Sequence, residues 1–348
     1  MSDTARPTVI LGMPADNGIY RLISDGLRHH GFQVISAVMD NQAFRYPSAF
    51  SRLKVKFAQT VLRDRDAKRK LKSKLLLADV RRQIAEAGGA DYALFIRGDI
   101  YSNEFLRTIK SQVRHQMVNY QWDGLARHSE ILDSVGLFDK CYVFDPADLS
   151  ADRRFLPATN FYFDHLPPSA TSSNGLYFVG LHMPGRTDTI NLFAATAGQA
   201  ELTLGFHIGS TDTDSADLRR QYADTINIFH GVRPFADNLR AAQQATILVD
   251  FRNPIHHGLS FRVFEALGYR KKLITDNADI TRYDFYHTDN IFVWNGQNSD
   301  GLAAFAARPY HEMPSEIYTK YAFGNWIRYM LDIPPYQAIS LPEPSRPA

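Results

Sequence analysis

One cysteine, Cys141, occurs among 348 residues, so no disulfide closes within the chain, which fits a reducing compartment. It precedes Tyr142 and Val143 in an apolar run and reads as a buried structural thiol, not a nucleophile. No uninterrupted apolar run reaches the roughly 18–20 residues that span a bilayer. The start, Met1 to Pro7, lacks the basic-then-apolar layout of a signal peptide, so a cytoplasmic location is expected. Charge of neither sign prevails: the net is +2, and the total does not suggest a nucleic-acid partner. Three glycines at dinucleotide-fingerprint spacing are also lacking in the Gly12–Gly18 loop, which argues against an oxidoreductase. What is present is ordinary globular composition, 45% hydrophobic and 22% charged, at a length comfortable for two domains.

The first half alternates short apolar strands with helices, the rhythm of an open α/β sheet. Strands are expected at Pro7–Met13, Phe32–Val38, Ala90–Ile96, Gln116–Tyr120 and Lys140–Phe144. Four of these segments release an aspartate just past their ends: Asp16, Asp99, Asp123 and Asp145. Ligands of such sheets sit at the carboxyl ends of the strands, so these carboxylates should line one edge. A general base for a hydroxyl is expected among them, with Asp16 and Asp123 as the catalytic candidates. Each is equally a cap or turn residue by type.

Between Arg52 and Arg82 the chain carries twelve Lys and Arg against three acids, with Leu53, Phe57, Val61, Leu71, Leu75 and Leu76 interleaved. A basic amphipathic helix of this kind suits an anionic membrane surface, each cation contributing about 1 kcal/mol near it. The competing reading is a solvated helix face. Aromatic platforms for nucleic-acid bases are lacking here.

Loop-like sequence from Phe155 to Asn174 reads as a linker, after which the strand–helix alternation restarts. It leads to Pro254–Gly268 and Tyr269–Asn277, the most informative stretch of the chain. A loop with Gly258 and Ser260 opens a helix that carries Arg262 and Glu265 three residues apart, on one face. The free N–H groups of such a helix start favour a phosphate, Arg262 adds charge, and Glu265 can accept from a vicinal diol.

Three patches, "YFVGLHMPGRTDTI" (Tyr177–Ile190), "VDFRNPIHHGLSFRVFEALG" (Val249–Gly268) and "KKLITDNADI" (Lys271–Ile280), make the second half resemble the nucleotide-binding domain of GT-B glycosyltransferases, in particular the CgeB-like and lipopolysaccharide-core enzymes of bacteria. The resemblance implies two Rossmann-like domains facing each other across a cleft, with a C-terminal helix packing on their junction. Residues 1–165 would form the acceptor-side domain with basic membrane-facing helices, 172–313 the nucleotide-sugar domain, and 314–348 a helix and tail returning to the first domain. It further implies that Glu265 holds the ribose hydroxyls, that Gly258, Leu259 and Ser260 approach the diphosphate through backbone N–H groups, and that Arg186 and Arg262 neutralise it. His257 and Asn277 complete the expected donor site. Many retaining members carry a second glutamate seven residues before the ribose-binding one; Gly258 stands there, so the stereochemical outcome is left open.

The expected function is therefore transfer of a sugar from a nucleotide-sugar to a cell-surface glycan or glycolipid (lipopolysaccharide, capsule or exopolysaccharide). No cofactor and no metal are expected, because basic side chains and a helix N-terminus stabilise the leaving diphosphate. Two alternatives share the architecture: a sugar-nucleotide epimerase and a non-catalytic glycan-binding protein. Asp212-Thr213-Asp214 imitates the metal-binding Asp-x-Asp of the GT-A fold, but reads more simply as a helix N-terminal cluster.

Overall fold

Thr8–Gly12 (β1) is buried at every position, as a parallel strand covered on both faces must be. It sits in the first of two all-parallel, six-stranded sheets in a computed structural model that describes residues 6–167, 169, 173–211 and 215–343. The chain divides into two compact units, Met1–Ala158 with Ile327–Pro335, and Thr159–Trp326 with Tyr336–Ala348.

In the first unit β1 is followed by α1 (Ile19–His29), β2 (Gln33–Ser36), α2 (Ala49–Thr60), α3 (Ala67–Glu86), β3 (Ala90–Ile96), α4 (Asn103–Lys110), β4 (Val113–Gln121), β5 (Lys140–Val143) and β6 (Phe155–Pro157). The strand order is β2-β1-β3-β4-β5-β6. The chain therefore leaves β1 in one direction and returns on its other side at β3, which makes the β1/β3 boundary the point where the strand order reverses. Ile10, Ala93, Phe95 and Met117 of the sheet pack with Val80 and Ile84 of α3 and Phe105 and Ile109 of α4. The basic stretch thus forms two helices, with α3 contributing to the core.

The second unit contains β7 (Ser173–Leu181), α5 (Thr187–Gln199), β8 (Leu204–Ser210), α6 (Ser215–Arg219), β9 (Asn227–His230), α7 (Phe235–Gln244), β10 (Ala245–Asp250), α8 (Phe261–Gly268), β11 (Lys272–Thr275), β12 (Ile291–Val293), α9 (Leu302–Ala307), α10 (Ser315–Tyr321) and the first residues of α11 (Phe323–Leu331). Its order, β12-β11-β10-β7-β8-β9, reverses between β7 and β10. One face buries Phe193 and Phe206 with Trp294; the other buries Phe264 and Leu267 of α8 with Tyr321 of α10. Of the C-terminal stretch, α10 and Phe323–Trp326 of α11 belong to the second unit, and Ile327–Pro335, which holds the rest of α11, belongs to the first. That stretch is two helices rather than one, because Ala322 leaves the helical region at ψ 147. Ser129–Asp133, whose sequence suggests a helix, is a single 3-10 segment, and β6 occupies part of the expected linker.

Gly268 ends α8 where its Cα faces the Tyr162 ring, and a Cβ built there would collide with three ring carbons. Tyr162 cannot readily withdraw, since its backbone bonds Tyr321 O and Phe323 N on either side. Gly268→Ala is expected to cost about 1–3 kcal/mol of stability, the usual effect of overpacking, read from the urea midpoint of the variant.

Candidate functional site

The carboxyl ends of β7 and β10 flank the reversal of the second sheet, the position where open α/β sheets bind ligands. A cavity of about 260 Å³ lies there. Arg186, Gly258, Ser260, Arg262, Glu265 and Asn277 all line it. His257 and Leu259 do not. His257 is exposed, with its neighbour His256 in the lining instead, and the Leu259 side chain belongs to the core while its carbonyl accepts from Asn160 Nδ2 at 2.9 Å.

Arg186 follows β7 in a short 3-10 turn, and its guanidinium reaches back across the reversal. Nη2 donates to Leu181 O at 3.0 Å and Nη1 to Phe251 O at 3.3 Å, so one side chain braces the exits of both central strands. Burial lowers its pKa from the ordinary value, opposed by Asp250, Tyr222 and Asp276; an arginine so placed remains cationic at neutral pH. Its buried Nε finds no acceptor among the described residues.

Asp250 ends β10 and is buried. Burial raises its pKa and nearby Asp276 adds to the effect, against Ser260, Arg262 and Arg186. Ser260 stands at the N-cap of α8, yet its hydroxyl makes no capping bond; it donates to Asp250 Oδ1 at 2.7 Å. The first turn of α8 consequently lacks the side-chain acceptor that would ordinarily occupy its N–H groups. Five residues after Ser260, Glu265 is 3% exposed and meets Arg262 Nη1 at 2.6 Å through Oε2. Burial raises the Glu265 pKa, with Arg262 pulling it down and Asp250 pushing it up. Arg262 also lies 5.3 Å from the Tyr177 ring centroid, a cation–π contact that fixes the guanidinium. Asn277 caps the turn after β11, its Oδ1 accepting from Asp279 N at 3.1 Å, so its carbonyl oxygen is already engaged locally.

Sequence reasoning gave no role to Asp250, Phe251 or the neighbouring Asp276, and of the His256–His257 pair, both expected near the phosphate loop, it placed His257 in the donor site where His256 lines the cavity. Asp250 and Asp276 do carry the strand-end signal read in the first half, and Asp276 accepts from Arg252 N at 2.6 Å. His256 and Phe251 enter the lining only through loop geometry that no local pattern specifies.

At the carboxyl edge of the first sheet the four aspartates separate in role. Asp145 is buried and caps the following turn, accepting from Ala147 N at 2.9 Å. Asp99 is buried beneath Arg97, whose Nε and Nη2 contact its carboxylate at 2.8 and 2.7 Å. Arg97 is held at φ 64, a left-handed conformation unusual outside glycine. Asp16 lies exposed just beyond β1. Asp123 lies beyond β4, with β3 between the two strands, and is shared by Arg97 Nη1 at 3.4 Å and His128 Nε2 at 3.6 Å. Burial lowers the His128 pKa, helped by Arg97 and opposed by Asp123 and Asp99, so the imidazole is neutral at pH 7. Asp99, His128 and Glu130 bring one ligand atom each within 4.8 Å of one another, but the Arg97 guanidinium already occupies the Asp99 carboxylate. Asp212 and Asp214 lie outside the described residues.

An alpha-glucosyltransferase in complex with UDP is similar to this chain with a TM-score of 0.54 at 9% identity, over 86% of this chain and 90% of that one. AviGT4, a glycosyltransferase involved in avilamycin A biosynthesis, aligns at TM-score 0.43 and 11% identity over 87% and 93%, and a glycosyltransferase from Rickettsia africae at 0.41 and 11% over 86% and 86%. No family model and no curated relative matches the sequence. The fold is that of the GT-B glycosyltransferases, two Rossmann-like α/β domains.

Arg262→Ala leaves Glu265 buried without its cation and is expected to destabilise the protein by about 3–5 kcal/mol at neutral pH. The sign with pH follows from the raised Glu265 pKa: its proton is held more tightly folded than unfolded, so stability is full below the ordinary carboxylate range and falls as pH rises through the raised value. Removing Arg262 enlarges that fall. Denaturant titrations of the variant should therefore approach wild type on acidification, and Arg262→Ala/Glu265→Gln should recover most of the loss at pH 7.

Proposed function

We propose that the chain is a glycosyltransferase that takes a sugar from a nucleoside-diphosphate donor bound at the β7/β10 reversal. The observation that carries this reading is the convergence, around one cavity, of an uncapped α8 N-terminus, two arginines and a buried glutamate. The fold it shares with a UDP-bound glucosyltransferase supports it. A departing diphosphate gains negative charge, which Arg186, Arg262 and the α8 dipole would stabilise in a site partly closed to water. Glu265 keeps Oε1 for the ribose hydroxyls while Oε2 stays with Arg262. No metal is assigned to this step; full turnover in EDTA is expected, whereas loss of turnover restored by Mn²⁺ would return attention to Asp212 and Asp214.

The base for the acceptor hydroxyl is assigned to the first unit. Asp123 with His128 is favoured there over Asp16, because a neutral imidazole 3.6 Å from a carboxylate can take a proton and have the resulting charge compensated. The acceptor is proposed to be a glycan or glycolipid of the cell surface, met at the anionic inner face of the membrane. The basic stretch Arg52–Arg82 supports this, and no described helix is long and apolar enough to cross a membrane. His128→Ala is expected to lower kcat with little change in donor affinity.

Glu265→Gln tests the donor site. Losing a charge-assisted bond to a ribose hydroxyl is expected to weaken nucleotide binding about 10–100-fold in calorimetry, since such bonds contribute about 1.5–3 kcal/mol. Unchanged affinity in a folded variant would reject the assignment. Product analysis separates the rival activities: an epimerase converts the sugar nucleotide without acceptor, and a glycan-binding protein releases no nucleotide.

A further inference from the structure

The five most exposed large hydrophobic side chains among the described residues all lie in one short segment: Phe50 (74%), Leu53 (64%), Phe57 (54%), Val61 (59%) and Leu62 (66%). The first four are spaced i, i+3, i+7 and i+11, which sets them along one face of α2 and its C-terminal extension. The opposite face holds α2 to the protein through Val55, the one buried residue of the helix. Ser48 starts the helix by accepting from Ser51 N at 3.1 Å, so the stripe is displayed on a capped helix and not on a loop. An exposed apolar face of this length on a folded surface marks a binding surface.

Charge identifies the occupant. From Ala49 to Arg63 there are four cations, Arg52, Lys54, Lys56 and Arg63, and no acid. All four are exposed, and none makes an ion pair among the described residues. The cations of α3 behave differently. Arg69 donates to Asp99 O at 2.9 Å and pairs with Asp66 at 2.8 Å; Lys70 pairs with Asp64 at 2.8 Å; Arg82 pairs with Asp79 and Glu86; and Lys72 stands 5.0 Å from the Phe44 ring centroid. These four of the seven cations of α3 are therefore engaged within the fold, whereas all four cations beside the apolar stripe stay exposed and unpaired. A second copy docking through this face would bring like charges together. An anionic lipid surface satisfies both features: acyl chains accept Phe50, Leu53, Phe57 and Val61, and headgroup phosphates meet the flanking cations.

We propose that α2 lies in the plane of an anionic membrane with Phe50, Leu53, Phe57 and Val61 inserted at the headgroup–acyl boundary, about 5–10 Å deep. This rests on the reading of Arg52–Arg82 as a membrane contact and sharpens it from charge attraction by the whole stretch to insertion of one helix. Lysine and arginine stems beside the stripe can extend toward the phosphates while the apolar face goes deeper.

The test uses the full chain and vesicles of phosphatidylcholine with and without phosphatidylglycerol. Wild type should sediment with the anionic vesicles, and Phe50→Ser/Leu53→Ser/Phe57→Ser should lose about tenfold or more of that partitioning while melting as wild type does. Cys141 is buried, so an environment-sensitive label at Leu53→Cys reports one site; its emission should shift to the blue on vesicles, and a label at Gln59→Cys should shift less. If the triple variant partitions like wild type, or the Leu53→Cys label keeps its aqueous emission on vesicles that do bind, insertion is overturned and only electrostatic adhesion remains. If wild type ignores anionic vesicles altogether, the membrane reading itself fails. Loss of a dimer in the triple variant, seen by sedimentation equilibrium without vesicle binding by wild type, would assign the face to a second copy and overturn the proposal.

Discussion

Two carboxylates held out of water, Asp250 and Glu265, set the constraint around which the second unit's edge is built. Burial disfavours both anions, so each requires a partner, and the partners are what shape the cavity. Ser260 gives up its capping role to reach Asp250, which leaves the start of α8 open. Arg262 turns inward to Glu265 and lies against Tyr177, which places a cation beside that same helix start. Arg186 ties Leu181 to Phe251 and keeps the two central strand exits at a fixed separation. The positive character of the pocket is thus a consequence of compensating buried acids. A ligand diphosphate would enter an electrostatic environment that already exists and requires little reorganisation.

The two sheets use strand-end aspartates differently. In the second, Asp250 lines the cavity and Asp276 stands next to it, and burial draws both toward the neutral form. In the first, Asp99 and Asp145 are consumed by structure, the one by Arg97 and the other by a turn. This leaves Asp16 in solvent and Asp123 in a partly exposed cluster with Arg97 and His128. The left-handed Arg97 sits at the centre of that cluster, and a residue held in a sparsely populated conformation usually has its surroundings to thank for it. Here Asp99 supplies that hold from below.

The basic stretch shows why charge counted along a sequence misplaces function. Twelve cations read as one surface, yet α3 buries Val80 and Ile84 and directs several of its cations into ion pairs and ring contacts. Among the described residues α2 sets a row of exposed apolar side chains beside exposed, unpaired cations, whereas α3 exposes a single large one, Leu75. Helix periodicity places Phe50, Leu53 and Phe57 together but does not say which face of α2 the fold covers; Val55 decides that.

The sequence alone determined the α/β class, the restart of the alternation near the middle of the chain, and the loop–helix–strand from Gly258 to Asn277, because hydrophobic period and glycine punctuation are local properties. It also placed Arg262 and Glu265 on one helix face, since i and i+3 coincide by geometry. The tertiary structure decided the rest. Strand order, and with it the reversal between β7 and β10, depends on pairings between residues such as Leu248 and Tyr177 that lie far apart in the chain. The separation of His256 from His257, the withdrawal of Leu259 into the core, and the capture of Asp99 by Arg97 are likewise set by packing. A residue's type states which bonds it can make; only the fold determines which of those partners arrive and which groups remain for a ligand.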